Sequence, residues 1–212
     1  MNTVTQSIVA HFGESLDALY RYGRQQLPRF RSEEVHLLAV VSDTDILLKD
    51  YKVPFLKKIH SLQVFTSAEL NQSLDVFPLE FLDMKLDREL IVGTDGLASV
   101  EVAIHNVRHQ AEFCLRSTIL RLRQAALLAP KEQKGVVGVS TSDVVRALRG
   151  LLNMRNGTSL KTPDEVVAEI EQWVSKPFPV LRHLLASAKP GDVDFSAYRK
   201  EIEFLVERID SL

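Results

Sequence analysis

Several sets of residues in this 212-residue chain have types and spacings that can do chemistry. Asp43-Thr44-Asp45, followed by the apolar Ile46-Leu47-Leu48, is a literal Asp-x-Asp, a carboxylate pair of the kind that holds a hard divalent cation. His105 and His109 stand four apart between Glu101 and Glu112, a spacing at which two imidazoles on one helix face share a metal ion. No Cys or His cluster elsewhere completes that site, so the expectation there is a solvated or domain-facing polar stripe. Arg108, Arg116, Arg121 and Arg123 occupy the same segment and can either meet phosphates or form an exposed face paired with acids. Both readings stand at this level. Cys114 has no basic neighbour to activate it and reads as a small core residue. A Ser-His-Asp set, a P-loop and a dinucleotide-binding glycine fingerprint are all missing from the sequence.

The elements that would position these residues change character along the chain. Ala18 to Tyr22 and Val35 to Val41 read as strands, the second continuous enough to be buried on both faces. Pro54 to Leu62 reads as a helix, with Phe55, Ile59 and Leu62 at helical spacing behind a first-turn proline. Leu62 to Phe65 alternates, and Thr66-Ser67-Ala68-Glu69 is a capping box that opens a helix. Leu79 to Met84 is a third strand candidate. From about Ser99 the strand signals stop, and Ile104, Val107, Ala111, Leu115, Ile119, Leu122 and Ala126 mark one long amphipathic helix ending near Pro130. Lys131 to Gly138 reads as a loop, followed by a helix from about Ser142 to Asn156-Gly157. Thr162-Pro163-Asp164-Glu165 opens a further helix with cap, first-turn proline and capping glutamate together, and shorter helices follow over Pro179 to Ala188 and after Asp194. Strands alternating with helices, then helices alone, predict an α+β chain: a small mixed-sheet α/β domain over residues 1–99 and a helical bundle over 100–212.

The segment from Phe65-Thr66-Ser67-Ala68-Glu69-Leu70 through Ser73-Leu74-Asp75-Val76-Phe77-Pro78-Leu79-Glu80-Phe81-Leu82-Asp83-Met84-Lys85 to Ile91-Val92-Gly93-Thr94-Asp95 resembles the back half of a nucleotidyltransferase domain of the DNA polymerase β-like superfamily. The branch it resembles is a bacterial one, in which a minimal catalytic domain precedes a helical bundle. The resemblance covers roughly residues 15 to 128. It implies a first strand ending in Gly-Ser or Gly-Gly, then about ten residues, then Asp-x-Asp opening the next strand, with a third acid on a later strand. In that scheme two carboxylates hold paired Mg2+ ions on the nucleotide phosphates, a third activates the attacking hydroxyl, and the glycine turn lets backbone amides approach the phosphates. Here the strand ends Tyr22-Gly23-Arg24, and Glu34-Val35-His36 follows at the kept spacing. Arg24 replaces the serine, Glu34 the first aspartate and His36 the second, while Glu80 stands where the resemblance puts the third acid. Imidazole serves Mg2+ poorly and glutamate is one methylene longer than aspartate, so the expected protein is a non-catalytic relative. Gly23 and Arg24 remain a candidate phosphate-holding turn, the arginine by its own charge. Asp43 and Asp45 are the other placement for the metal pair, but it requires a shift of the strands, and the two read as loop acids.

Bulk composition agrees with a soluble fold. The 26 basic and 28 acidic residues give a formal charge of −2, so no global field draws in a nucleic acid. One cysteine excludes an intrachain disulfide, Met1 opens no basic-plus-apolar leader, and the longest apolar runs fall far short of a bilayer span, so a cytoplasmic protein off the membrane is expected. The expected function is binding of a nucleotide or a protein partner in the cleft between the two domains. The enzyme alternative is Mg2+-dependent transfer from a nucleoside triphosphate to a small molecule by Glu34, Glu80 and Asp43 or Asp45. A scaffold that self-associates, as a homodimer, is the third.

Overall fold

The structure, a computed structural model, describes residues 3–28, 31, 34–45, 59–187 and 193–208. Its chain divides into two compact units: residues 1–24 with 33–102, and residues 25–32 with 103–212.

In the first unit, helix α1 (Thr3–Phe12) leads into strand β1 (Leu16–Tyr22), then β2 (His36–Val41), β3 (Ser61–Thr66), helices α2 (Ser67–Gln72) and α3 (Pro78–Leu86), and strand β4 (Arg88–Gly93). The strands form one mixed sheet in the order β3-β2-β1-β4. β1 runs antiparallel to β2 and β4, and β3 lies parallel to β2. Alternation sorts the side chains onto two faces. Ala18, Tyr20, Leu38 and Val40 pack with Phe81 and Met84 of α3, Leu70 of α2, and Leu97 and Val100 beyond β4. Leu19, Leu37, Ala39 and Val41 pack beneath Ile8 and Phe12 of α1. With both faces covered, β2 is apolar without interruption, as its sequence predicts.

Two expectations are corrected here. Leu79 to Met84 is helical, inside α3, because Pro78 takes the first helical position and Leu79, Phe81, Leu82 and Met84 all turn inward. The strand in this region is the later Arg88–Gly93, and Glu80 stands on a helix, not on a strand. Ser61 and Leu62, read as the end of a helix from Pro54, belong to β3, and residues 54–58 lie outside the described set. Helix α1 was not foreseen.

The second unit is helical: α4 (Ile104–Ala125), α5 (Pro130–Asn156), α6 (Pro163–Val174), α7 (Pro179–Ala186) and α8 (Phe195–Arg208). The loop expected over Lys131 to Gly138 is instead the first part of α5. Pro130 starts it, the Glu132 carboxylate accepts from the Ala129 amide at 3.1 Å, and Val137 and Gly138 are buried, so packing supports a helical stretch that its glycines disfavour by propensity alone. Asn156-Gly157 ends the helix as expected, with Gly157 at φ 84°. The Thr162–Glu165 box is formed in both directions, with Thr162 N to Glu165 Oε2 at 2.8 Å and Glu165 N to Thr162 Oγ1 at 3.4 Å. None of the described helices is long and apolar enough to cross a membrane.

Tyr198 of α8 shows how this unit places a polar group in its core. Its ring is fully buried, with the hydroxyl 3.0 Å from Ser140 Oγ. Ser140 donates its proton to the Val137 carbonyl, so Tyr198 donates to Ser140. Burial, the largest cause, pushes the phenol up to about 12. A raised phenol binds its proton more tightly in the folded state, so its contribution is whole below pH 10 and is lost as pH climbs towards 12. The wild type is expected to lose about 2–3 kcal/mol across that window, by denaturant midpoints at successive pH values. Tyr198→Phe flattens that fall; an unchanged profile in the variant would assign the loss elsewhere.

Candidate functional site

The pattern that makes β1, β2 and β3 neighbours also gathers a set of polar side chains at one end of the sheet. β1 finishes at Tyr22, paired in register with His36 at the start of β2, and His36 is in register with Ser61 at the start of β3. Glu34 lies two residues before His36, and His60 one residue before Ser61. The next residue beyond β1, Gly23, takes φ 75° and donates its amide to Asp87 O at 3.0 Å. Only glycine adopts that conformation readily, and a side chain there would meet no atom within 4 Å, so backbone conformation and not crowding selects the residue. Arg24 follows it, exposed.

The hydrogen bonds run as a chain. His36 Nδ1 is 2.7 Å from Ser61 Oγ, and His36 Nε2 is 3.2 Å from Glu34 Oε2. The same carboxylate oxygen lies 3.4 Å from His60 Nε2. A carboxylate only accepts, so His36 Nε2 is the donor in the 3.2 Å contact with Glu34, while the Ser61 hydroxyl, which can donate or accept, meets the other ring nitrogen. The His36 and His60 rings meet edge to face with centroids 5.1 Å apart, and Tyr22 sits 5.8 Å from His36 on the other side. Glu34 thus joins two imidazoles and, through His36, a hydroxyl. Gln63, two residues along β3 from Ser61, shares its face. Among the described residues, no group of three His, Cys, Asp or Glu side chains is arranged to hold a metal ion.

The other candidates lie elsewhere. Asp43 accepts from the Asp45 amide at 2.9 Å in a tight turn beyond the far end of β2. Ser42 N to Ser15 O at 2.9 Å ties that end to the start of β1, so the pair stands a strand's length, roughly 17 Å, from His36. Glu80 occupies the first turn of α3. Of the sequence candidates, Gly23, Arg24, Glu34 and His36 therefore lie at this end of the sheet, together with Tyr22, His60 and Ser61, which the sequence did not single out. The alternating run Leu62 to Phe65 announces a strand but not its parallel pairing with β2, which is what brings His60 and Ser61 here.

At the opposite end of the same sheet face a cavity of about 410 Å³ is lined by Asp17, Tyr20, Ser67, Asn71, Thr94 and Ser99, among others. Tyr20 organises its wall: the hydroxyl donates to Thr94 O at 3.0 Å and accepts from Gly96 N at 2.9 Å. Burial pushes this phenol up as well. Arg88 clamps Asp95 through Nε to Oδ1 at 2.9 Å and Nη2 to Oδ2 at 2.7 Å, which holds the Asp95 carboxyl below its usual range.

On α4, Arg116 is paired with Glu112 at 2.8 Å and Arg121 with Asp143 at 2.9 Å, and His105 and His109 are exposed. These arginines form the acid-paired surface face. Cys114 is half-buried, its thiol donating to Asp143 O at 3.4 Å.

Neither a protein-family profile nor a curated protein matches the chain. Among solved structures it resembles the spectinomycin adenyltransferase AAD(9) from Enterococcus faecialis, determined with ATP and spectinomycin. The two share 14% identity over 98% of this chain and 97% of that one, with a TM-score of 0.57. A likeness of that extent at that identity speaks for architecture alone. The strand order, the glycine turn after the first strand and this neighbour together establish that the chain carries the nucleotidyltransferase fold.

Proposed function

We propose that this is a catalytically degenerate nucleotidyltransferase-fold protein that binds a nucleotide at the Gly23-Arg24 edge of its sheet and does not transfer the nucleotidyl group. The observation that carries the reading is the engagement of Glu34. Its carboxylate, where a nucleotidyltransferase of this fold would offer the first of its metal-binding oxygens, is shared between His36 and His60. A pair of Mg2+ ions asks for several hard oxygen donors at one point. An imidazole at 36, a hydroxyl at 61 and an amide at 63 do not supply them, so the described residues at this end of the sheet do not fit that metal pair. What remains suited to phosphate is the exposed Arg24 guanidinium, held beside a glycine turn whose own amide is committed to Asp87 O. The resemblance to a protein determined with ATP supports a nucleotide as the ligand.

Calorimetric titration with ATP, GTP and CTP, each with Mg2+ and with chelator, tests both halves of the proposal. The expected result is one-site binding that persists in chelator, falls about tenfold in Arg24→Ala, and releases no pyrophosphate. Mg2+-dependent pyrophosphate release that disappears in Glu34→Gln would overturn the degenerate reading. Absence of heat with all three nucleotides would overturn the binding one.

A further inference from the structure

Helix α4 has two apolar faces. One packs into the bundle through Val107, Ala111, Leu115, Leu122 and Ala125. Directly opposite, Phe113 and Leu120 stand seven residues apart, so they fall within about 20° of one another around the helix axis, and Leu127 follows two residues beyond the helix end. They are 68%, 57% and 88% exposed, and Leu128 and Val139 continue the patch at 45% and 60%. Summed, these side chains leave on the order of 500 Å² of apolar surface in water, towards the upper end of the roughly 300–600 Å² that the largest patch on a monomer spans, a patch that is often functional. A stable homodimer interface buries about 800 Å² per partner, of which roughly two-thirds is apolar, so the patch has the size of one half of such an interface.

We propose that this face docks a second copy of the chain, with the two α4 helices antiparallel and the twofold axis at Leu120. Self-complementarity is what a twofold interface demands, and the patch has it. Seven residues before Leu120 stands the protruding Phe113. Towards the C-terminal end of α4, on its α5 side, lies a groove of about 310 Å³ lined by Arg121, Gln124, Leu128, Val136 and Val139, among others. Each copy's Phe113 enters the other's groove, and Leu120 meets Leu120. Charge sets the direction. In a parallel pair Arg116 would face Arg116 and Arg123 would face Arg123, whereas the antiparallel pair sets Arg116 against Gln124 and Arg123 against Ser117.

Light scattering on the full chain tests the assembly, and cross-linking tests its geometry. The wild type is expected to be a dimer, and Phe113→Glu and Leu120→Glu, both at exposed positions, to raise the dimer Kd by at least about a hundredfold at unchanged melting temperature of the monomer. In a Cys114→Ala background, Leu120→Cys is expected to cross-link to itself on oxidation, and the double variant Phe113→Cys, Leu127→Cys to cross-link between copies, while Phe113→Cys alone does not. A wild type that stays monomeric at the highest concentration reached would overturn the proposal, as would a dimer that survives both glutamates. Self-cross-linking of Phe113→Cys would replace the antiparallel arrangement with a parallel one and so overturn it too.

Discussion

Gly93→Ala is expected to cost on the order of 3–5 kcal/mol, enough to remove a large part of the stability of a chain this size. Gly93 closes β4 at φ 93°, which an L side chain rarely adopts. A Cβ built there would stand 1.9 Å from the Asp17 carbonyl oxygen and 2.8 Å from the Ala18 Cα. Both are backbone atoms of β1, so no rotamer change relieves the clash, and β1 and β4 must separate. That separation reaches further than one pair. Gly93 is in register with Ala18, and the next residue, Thr94, supplies the carbonyl that Tyr20 donates to, which is one wall of the cavity at this end of the sheet. The measurement is a denaturant midpoint on the full chain, with Gly96→Ala as its partner. Gly96 has no atom within 4 Å of the position a Cβ would take, and its amide bond to Tyr20 survives the change, so that variant should move by less than about 1 kcal/mol. Equal midpoints for Gly93→Ala and wild type would mean that the β1–β4 approach is looser than drawn here.

What could be read from the sequence follows the range of the interaction responsible. Thr66–Glu69 and Thr162–Glu165 were legible because a capping box closes over four residues, and both are formed with reciprocal hydrogen bonds. β2 was legible because burial on both faces writes an unbroken apolar run. Leu79 to Met84 was misread because a short apolar run fits a strand and a buried helix alike, and Pro78, the residue that decides between them, lay just outside the run considered. The front half of the α5 helix was misread for the converse reason. Lys131 to Gly138 has weak local preference, and it is helical because Val137 and Gly138 are buried in the bundle. The site divides the same way. Gly23, Arg24, Glu34 and His36 could be placed by counting along the chain from one strand to the next. His60 and Ser61 could not, since their nearness to His36 comes from the parallel pairing of β2 with β3, which no local pattern announces. Glu80 was chosen for that slot because it is acidic and follows at a plausible interval, whereas the strand beside β2 carries a serine and a glutamine there.

Arg149→Met is the second large effect, expected to cost about 2–4 kcal/mol, with Arg149→Ala costing more because it also empties the volume of a long side chain. Arg149 is 1% exposed on α5, between Leu148 and Gly150, and its guanidinium donates through Nε to Lys161 O at 3.1 Å and through Nη2 to Gln26 O at 3.0 Å. Replacing a buried ion pair with apolar residues can be neutral when both partners change together. Here that escape is closed, because the two acceptors named are main-chain carbonyls that no substitution removes. Truncation therefore leaves buried acceptors without their donors, and each such loss costs roughly 1–3 kcal/mol. Arg149→Lys keeps the charge but concentrates its donors at one point on a shorter stem, so it cannot reproduce a fork aimed at carbonyls 135 positions apart, and it should fall near Arg149→Met and not near wild type. The Lys variant is what separates geometry from charge: recovery of wild-type stability by lysine would show that a buried cation, wherever its donors point, is all this position requires. A methionine variant that melts at or above wild type would show that water already reaches those carbonyls, and that the segment holding Gln26 is fixed to the helices by other contacts.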